Sequence, residues 1–592
     1  MVCAQKGNIM SDFSVNAPKD AVDRKGVYIL MDTLIEATKR QDGTCSQEIY
    51  LDSGRLQGKL EIIGGISDYA LCNRLVDLQS PDGFHKLVKG LGVSISAPED
   101  PELKSVPVIW KHYGKVDRYG RGTAIRFEVP ADGGEFIYMF DEVKWDEQDD
   151  VIGNLTFILQ RPGQLAEVNV RLFVDDSLDI PGGGPDAKVE RESEAYKAMI
   201  RRSLISAGTD GRLRRAIDRA KTGEALTIAY IGGSITQGAG AKPINTHCYA
   251  YQSYQGITER LGDPERFTYV KAGAGGTSSE FGLMRYTKEI CLFGERKPDI
   301  VFIEFAVNDY DDETRGRCFE SLLRTALSAE NHPAVILLFS VFANNENLQD
   351  RLIPIGTAYG VPMVSVKNAV VPQFAFPQNE GRVISKRQYF YDTFHPTNMG
   401  HTVMSDCLLN LFDTVLADAS ANGPSRSDTC LEKVYDTVAA YPVYGPVFDG
   451  VKLLERSTSC PEGVTVDPGS FSEQDPELQY VERDLNVIPS PEFADNWKRP
   501  VGAGAAPFVL KLSARSVFLI FKDNGSATAG KAVVTVNGKE VFTADPHING
   551  WTHCNVKLLA ESKESTDYVI TVAPAPGDED KEFTILGFGY TE

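Results

Sequence analysis

The sequence predicts an α/β chain in three parts: a central parallel sheet covered by helices on both faces, flanked on each side by a β-sandwich. Three observations carry this prediction. Between Leu226 and Leu416 short apolar runs alternate with segments of helical length, which is the order of a parallel sheet joined by helical crossovers. From about Gly26 to Asp176, and again from Phe508 to Val572, the runs are short, period-two and separated by turn residues, as in antiparallel sandwiches or jelly rolls. Two stretches with linker composition, Pro181–Pro185 and Ala417–Asp428, separate the three patterns. The parts are therefore drawn as 1–185, 186–424 and 425–592, and a chain of 592 residues exceeds what one hydrophobic core usually serves.

In the first part the strands are expected at Ala124–Val129, Phe136–Phe140, Val151–Leu159 and Ala166–Val174. No catalytic constellation occurs there. Trp110, His112, Tyr113 and Trp145 could line a sugar-binding face, or they could be core, the commoner place for aromatics in a sandwich. Charged helical segments then run from about Lys188 to Thr222.

The central part is organised around Leu226-Thr-Ile-Ala-Tyr-Ile-Gly-Gly-Ser-Ile-Thr-Gln-Gly-Ala-Gly240. A buried strand ends in two glycines, whose small size allows a sharp turn that presents Ser234. A phosphate loop would need Lys and Ser/Thr where Ala239 and Gly240 stand, and the nucleophile elbow of α/β-hydrolases needs glycine where Thr236 stands. A serine hydroxyl attacks at neutral pH only with a base, an orienter for that base and oxyanion donors. The following strands are expected at Phe267–Lys271, Asp299–Phe305, Ala334–Ser340 and Met363–Val366. Helices are expected at Tyr249–Leu261, Ser279–Leu292, Gly316–Ala329, Leu348–Tyr359 and Thr397–Leu416. Ligands belong beyond the carboxyl ends of such strands, and three more blocks fall there. Ala272-Gly-Ala-Gly-Gly-Thr-Ser278 leaves backbone N–H groups uncovered, with Gly276 a candidate oxyanion donor. Phe305-Ala-Val-Asn-Asp309 puts the Asn308 carboxamide at the same edge. Tyr391-Asp-Thr-Phe-His-Pro-Thr-Asn-Met-Gly-His401 supplies His395 as base, with Asp392 in reach of Nδ1 and Pro396 suited to the first turn of the closing helix.

These four blocks, Gly232-Gly-Ser-Ile-Thr-x-Gly238, Gly273-x-x-Gly276, Val307-Asn-Asp309 and Asp392-x-x-His395-Pro, resemble the GDSL-type (SGNH) hydrolase family in identity and order. The resemblance implies a flavodoxin-like three-layer fold, with Ser234 as nucleophile, His395 as general base and Asp392 as its orienter. It implies an oxyanion hole formed by Ser234 N–H, Gly276 N–H and the Asn308 side chain. Two positions depart from the family pattern: Gly233 stands where aspartate is usual, and Ala306 where glycine is usual. An SGNH domain behind a β-sandwich also resembles, in architecture, the multidomain esterases that deacetylate plant polysaccharides. The resulting expectation is a serine esterase removing acetyl groups from acetylated oligo- or polysaccharides through an acyl-enzyme. Its rivals are a lysophospholipase or thioesterase, and a glycan-binding protein without catalysis.

The last part is expected to hold strands at Phe508–Leu512, Ser516–Phe521, Ala532–Val536, Glu540–Phe542 and Tyr568–Val572, with a hairpin turn at Asn537-Gly. Between them Pro546-His-Ile-Asn-Gly-Trp-Thr-His-Cys554 crowds an indole and two imidazoles, so Trp551 and His553 are candidate substrate-binding residues at the entrance to the Ser234 site. A net charge of −21 disfavours nucleic acid and anionic membranes as partners. No ligand spacing among histidines and cysteines implies a metal, and no organic cofactor is implied. Ten cysteines without a Cys-x-x-Cys pair read as small apolar residues, and the amino-terminal segment lacks the pattern of an export signal. A cytoplasmic location is expected from the sequence as it stands, and a secreted one if a signal has been removed. Oligomeric state is left open.

Overall fold

A computed structural model of the chain describes residues 2–3 and 27–592, apart from 41, 53, 64–72, 117–121, 176–185, 210, 377–379, 423–441, 484 and 486–487. The linker expected at Pro181–Pro185 lies outside the described residues.

Five strands form the parallel part of the central sheet. Leu226–Gly232 lies between Phe267–Gly273 and Ile300–Glu304, and Ala334–Phe339 and Met363–Ser365 follow outward. Numbered along the chain, the parallel strands run second-first-third-fourth-fifth. A short strand, Leu204–Ser206, which the sequence pattern did not suggest, pairs antiparallel with Met363–Ser365 and closes that edge.

Side-chain alternation splits the sheet between two cores. Ile228, Tyr230, Ile300, Phe302, Ile336 and Leu338 pack with the helices Arg212–Lys221, Tyr249–Leu261 and Asn398–Asn422. Ala229, Ile231, Val301, Ile303, Val335 and Leu337 pack with Ser279–Glu289, Arg317–Leu327 and Gln349–Ala358. Every one of these strands is apolar on both faces because both are covered. The second core continues into the carboxyl-terminal region through Phe518, Ile520, Cys554 and Leu586, so that region is docked on the helix Ser279–Glu289.

The amino-terminal region holds a six-stranded and a four-stranded sheet, whose facing residues share one core that includes Trp110, Phe127 and Phe157 from one and Leu91, Val93 and Val170 from the other. Trp110, His112 and Tyr113 are buried, so they line no sugar-binding face. A helix, Arg55–Ile63, was not anticipated; it leaves the sheets and reaches the central region. In the carboxyl-terminal region the runs Phe508–Leu512 and Ser516–Phe521 are one strand, Phe508–Asp523, with a register shift between Ala514 and Ser516. Asn537 and Gly538 both have positive φ (50° and 79°) and join Val536 to Lys539, the two-residue hairpin expected of Asn-Gly.

The second linker reading is corrected in part. Residues 417–422 continue the closing helix to Asn422, because Ala417, Ala419 and Ala421 are strong helix formers that extend an already nucleated helix; residues 423–428 lie outside the described residues. Among the described residues no helix is long and apolar enough to cross a membrane.

Candidate active site

Ser234 opens the four-residue helix that follows the first central strand and is half-buried. Its Oγ lies 2.9 Å from His395 Nε2, and His395 Nδ1 lies 3.0 Å from Asp392 Oδ2. The turn that delivers the histidine is tied at its ends, with Tyr391 N–H donating to His395 O (2.8 Å) and Phe390 bridging Pro396. The closing helix begins at Asn398, one residue past the expected Thr397, so Pro396 precedes its first turn, and the Thr397 hydroxyl accepts from Gly400 N–H at 3.1 Å as its cap. Asp392 Oδ1 accepts from the N–H groups of Phe394 and His395, each at 2.8 Å. Burial opposes charge on this carboxylate, but His395, Lys59 and the Phe394 N–H hold it well below the usual carboxylate range. It is thus an anion fixed at Nδ1, so the Nδ1 proton is held there and the Nε2 lone pair is turned to the serine.

The oxyanion candidates gather at the same place. The Asn308 carboxamide lies directly against Gly233: a Cβ there would come within 2.2 Å of Asn308 Oδ1 and 2.9 Å of Nδ2. Glycine at 233 therefore leaves the space that the amide fills. Ala306 is wholly buried in the core below, with its carbonyl accepting from Leu348 N–H at 2.8 Å, so it forms no part of the pocket floor. Gly275 and Gly276 sit beside Ser234, a Cβ on Gly275 falling 3.8 Å from Ser234 Cβ. Gly276 has φ +70°, which favours glycine. Asp309 reaches back to the start of the helix Ser279–Glu289, its Oδ1 accepting from Ser279 N–H at 2.7 Å. Burial pushes its carboxyl up to about 8.

Several contributors come from outside the four blocks. Gln479 Nε2 donates to Gly275 O at 2.8 Å, and its Oε1 accepts from Cys554 N–H at 3.0 Å. Because a planar trans peptide points its C=O and N–H in opposite directions, holding Gly275 O aims the Gly276 N–H away from Gln479. His553 Nε2 lies 2.9 Å from Gly276 O; a carbonyl can only accept, so Nε2 carries the proton. Trp551 is half-buried with its ring 4.6 Å from that of His553, and both border the space over Gly276. On the other side Lys59, from the unanticipated helix, is buried with Nζ 3.3 Å from Tyr391 O and 3.7 Å above the Tyr391 ring. Burial pushes this ammonium down to about 8, with the Asp392 charge opposing.

Two residues past Ser234, Thr236 Oγ1 donates to Glu304 Oε2 at 3.0 Å, and burial raises that carboxyl to about 7. Arg285 Nη2 donates to Gly232 O at 2.8 Å and Nη1 to Glu289 at 2.6 Å; Arg483 joins Glu289 to Glu492. His401 accepts from Tyr249 N–H through Nδ1 and donates through Nε2 to Ala239 O, which fixes the turn after the serine. A signal existed for Glu304, a lone carboxylate ending an apolar strand. None existed for Lys59 or Gln479, which are remote in sequence and lie in stretches without a motif.

Residues 230–403 match the model of the GDSL-like lipase/acylhydrolase family. This segment is a GDSL-like lipase/acylhydrolase domain. Two thirds of the chain is similar to two solved structures of a two-domain esterase (CEX) active on acetylated mannans, one of them co-crystallised with mannopentaose. Identity is 24% in both, 66% of this chain is covered, 98% and 99% of theirs, and the TM-scores are 0.53 and 0.54. At that identity the likeness is one of fold. No curated protein matches the chain. The GDSL-like segment contains the three hydrogen-bonded side chains Ser234, Asp392 and His395, while Lys59, Gln479, Trp551 and His553 all lie outside it.

Proposed function

We propose that the chain is a serine esterase that removes acetyl groups from acetylated carbohydrates. One observation carries the reading: the unbroken relay Ser234 Oγ, His395 Nε2, His395 Nδ1, Asp392 Oδ2, with steps of 2.9 and 3.0 Å. In the first half-reaction Ser234 Oγ attacks the ester carbonyl while His395 takes its proton. The oxyanion sits among the Ser234 N–H, the Gly276 N–H and the Asn308 amide, and collapses as His395 returns the proton to the leaving sugar hydroxyl. Water activated by the same imidazole then attacks the acyl-enzyme, releasing acetate and free serine. Asp392 remains ionised throughout.

The acetyl and carbohydrate parts of the reading draw on the acetylated-mannan esterase that shares the fold, and on Trp551 and His553 beside Gly276, where an indole face suits the C–H side of a pyranose. In the same reading the central sheet is flavodoxin-like, its parallel strands having the 2-1-3-4-5 order, and the flanking sheets are two β-sandwiches, with boundaries near 185 and 424.

The test pairs Ser234→Ala with two substrates. Aryl acetate turnover should fall by several orders of magnitude in the variant. Wild type should release acetyl from acetylated mannan oligosaccharides, read by mass spectrometry. Near-full activity of Ser234→Ala would overturn the nucleophile. A preference for acyl chains of eight carbons or more, with no acetyl released from acetylated mannan, xylan or pectin fragments, would overturn the substrate class.

A further inference from the structure

Away from Ser234, three ligand-type side chains of the amino-terminal region converge on one point. His85 lies on the helix Pro81–Leu87, His112 on the strand Ser105–Gly114, and Asp149 begins the strand Asp149–Leu159. Their donor atoms all lie within 4.8 Å of one another, and His85 Nε2 is 3.5 Å from Asp149 Oδ2.

The hydrogen bonds around the three fix which atoms face inward. His112 is fully buried, and its Nδ1 lies 3.1 Å from Asp150 O. A carbonyl accepts only, so Nδ1 bears the proton and Nε2 presents a bare lone pair, which has no hydrogen-bond partner among the described residues. His85 Nε2 is buried too and makes no hydrogen bond; at 3.5 Å the contact with Asp149 is too long for a good one. Trp145 stacks on the His85 ring at 4.1 Å and 13°, and Phe84 meets His112 edge-on, so neither ring is free to turn toward water. The Asp149 carboxylate is oriented from behind by Thr123, whose N–H and hydroxyl donate to its two oxygens at 2.6 and 2.8 Å.

We propose that His85 Nε2, His112 Nε2 and Asp149 form a binding site for one divalent transition-metal ion, Zn²⁺ by its donor set, which cross-links the helix and the two strands. Two imidazoles and one carboxylate are ligands zinc takes at about 2.0–2.2 Å, with a water completing a tetrahedron. Ligand atoms around such an ion stand about 3.3 Å apart, so the cluster needs to contract by at most about 1.5 Å. The Nδ1–H to carbonyl bond of His112 and the Thr123 bonds to Asp149 are the outer partners that orient metal ligands and fix their tautomers. Without an ion the lone pair of a fully buried imidazole faces a second imidazole and a carboxylate with nothing to bond, an arrangement that costs stability. Local spacing gave no hint of this site because its ligands come from three separate elements.

The experiment uses the full chain, stripped with chelator and then titrated with Zn²⁺ and, as a spectroscopic probe, Co²⁺. One equivalent should bind, Zn²⁺ should raise the melting temperature by several degrees, and Co²⁺ should give visible d–d bands of a four- or five-coordinate site. His85→Gln, at the more accessible ligand, should abolish the bands and the thermal shift. Aryl acetate turnover should be the same with and without metal, since none of the three residues touches Ser234 or its partners. His112→Gln should behave likewise if it folds; if it does not, the wild-type spectrum and His85→Gln decide. No uptake by the stripped protein at millimolar Zn²⁺, or uptake and bands that persist in His85→Gln, would overturn the proposal.

Discussion

Adding a side chain at Gly233 should slow ester hydrolysis. The Gly233 φ of −85° is open to any residue, so Gly233→Ala carries no left-handed strain. What the new Cβ meets is the Asn308 carboxamide: 2.2 Å to Oδ1, 2.7 Å to Cγ and 2.9 Å to Nδ2. Ordinary contact begins near 3.4 Å, so the amide has to retreat by about 1.2 Å, more than a hydrogen bond to a developing oxyanion survives. Loss of one such donor costs on the order of 10²–10³ in kcat, about 3–4 kcal/mol of transition-state stabilisation. Stability should change little, because the atoms displaced are the end of one side chain. The assay is aryl acetate hydrolysis by Gly233→Ala, Asn308→Ala and the double variant, with melting followed in parallel. If the alanine acts by moving the amide, the double variant is no slower than Asn308→Ala alone. Unchanged kcat in Gly233→Ala, or losses that multiply in the double variant, would refute the reasoning.

Three further outcomes follow from named contacts. Gln479→Leu removes the donor that holds Gly275 O, so kcat should fall roughly ten- to a hundredfold while KM for an aryl acetate stays within about twofold; a matched change in both, or none, would show that the peptide keeps its aim without Gln479. Asp309, pushed up to about 8 by burial, holds a proton in the folded chain that the unfolded chain gives up near pH 4. Its contribution to stability is full below pH 4 and lost as pH rises to 8, so Asp309→Asn, which keeps an acceptor for Ser279 N–H, should melt progressively higher than wild type from pH 5 to 8.5; a pH-independent difference would contradict this. Trp551→Ala should leave melting nearly unchanged, because the ring is only half-buried, and should lower kcat/KM on acetylated oligosaccharides while sparing the aryl acetate; equal losses on both would remove its substrate role.

The parts legible in the sequence are those whose signal is local. The helix Tyr249–Leu261 has the bounds its pattern implies, and the central strands end within two residues of expectation, because an apolar run closed by glycine or asparagine marks a buried parallel strand by itself. Ser234, Asp392 and His395 were legible for the same reason: each block carries its own turn chemistry, and strand order brings the blocks to one edge. Where the sequence misled, a local signal was outvoted. Ser513-Ala-Arg515 reads as a break between two strands, yet a register shift lets one strand run through it. Lys59, Gln479 and the His85–His112–Asp149 cluster were invisible because their meaning lies wholly in contacts between distant segments.

Those distant contacts bear on what the flanking regions are for. The two peptides on either side of Gly276 are held from the carboxyl-terminal region, the Gly275 carbonyl by Gln479 and the Gly276 carbonyl by His553, and the turn carrying Asp392 and His395 is held by Lys59 from the amino-terminal region. Gly58 leaves no more room than its hydrogen, since a Cβ there would come within 2.1 Å of Thr393 Cγ2, so the helix is seated directly on the turn. A transition state is stabilised only by donors fixed before charge develops, and loops at strand ends do not fix themselves. The central segment brings Ser234, His395 and Asp392 together, and the two flanking regions hold the glycine loop beside Ser234 and the turn that carries His395 and Asp392. Under the proposed function, sugar recognition would be coupled to catalysis through adjacent residues, because Trp551 lies two residues before His553, which opens the strand His553–Pro574; the first faces the space over Gly276 and the second is bonded to its carbonyl.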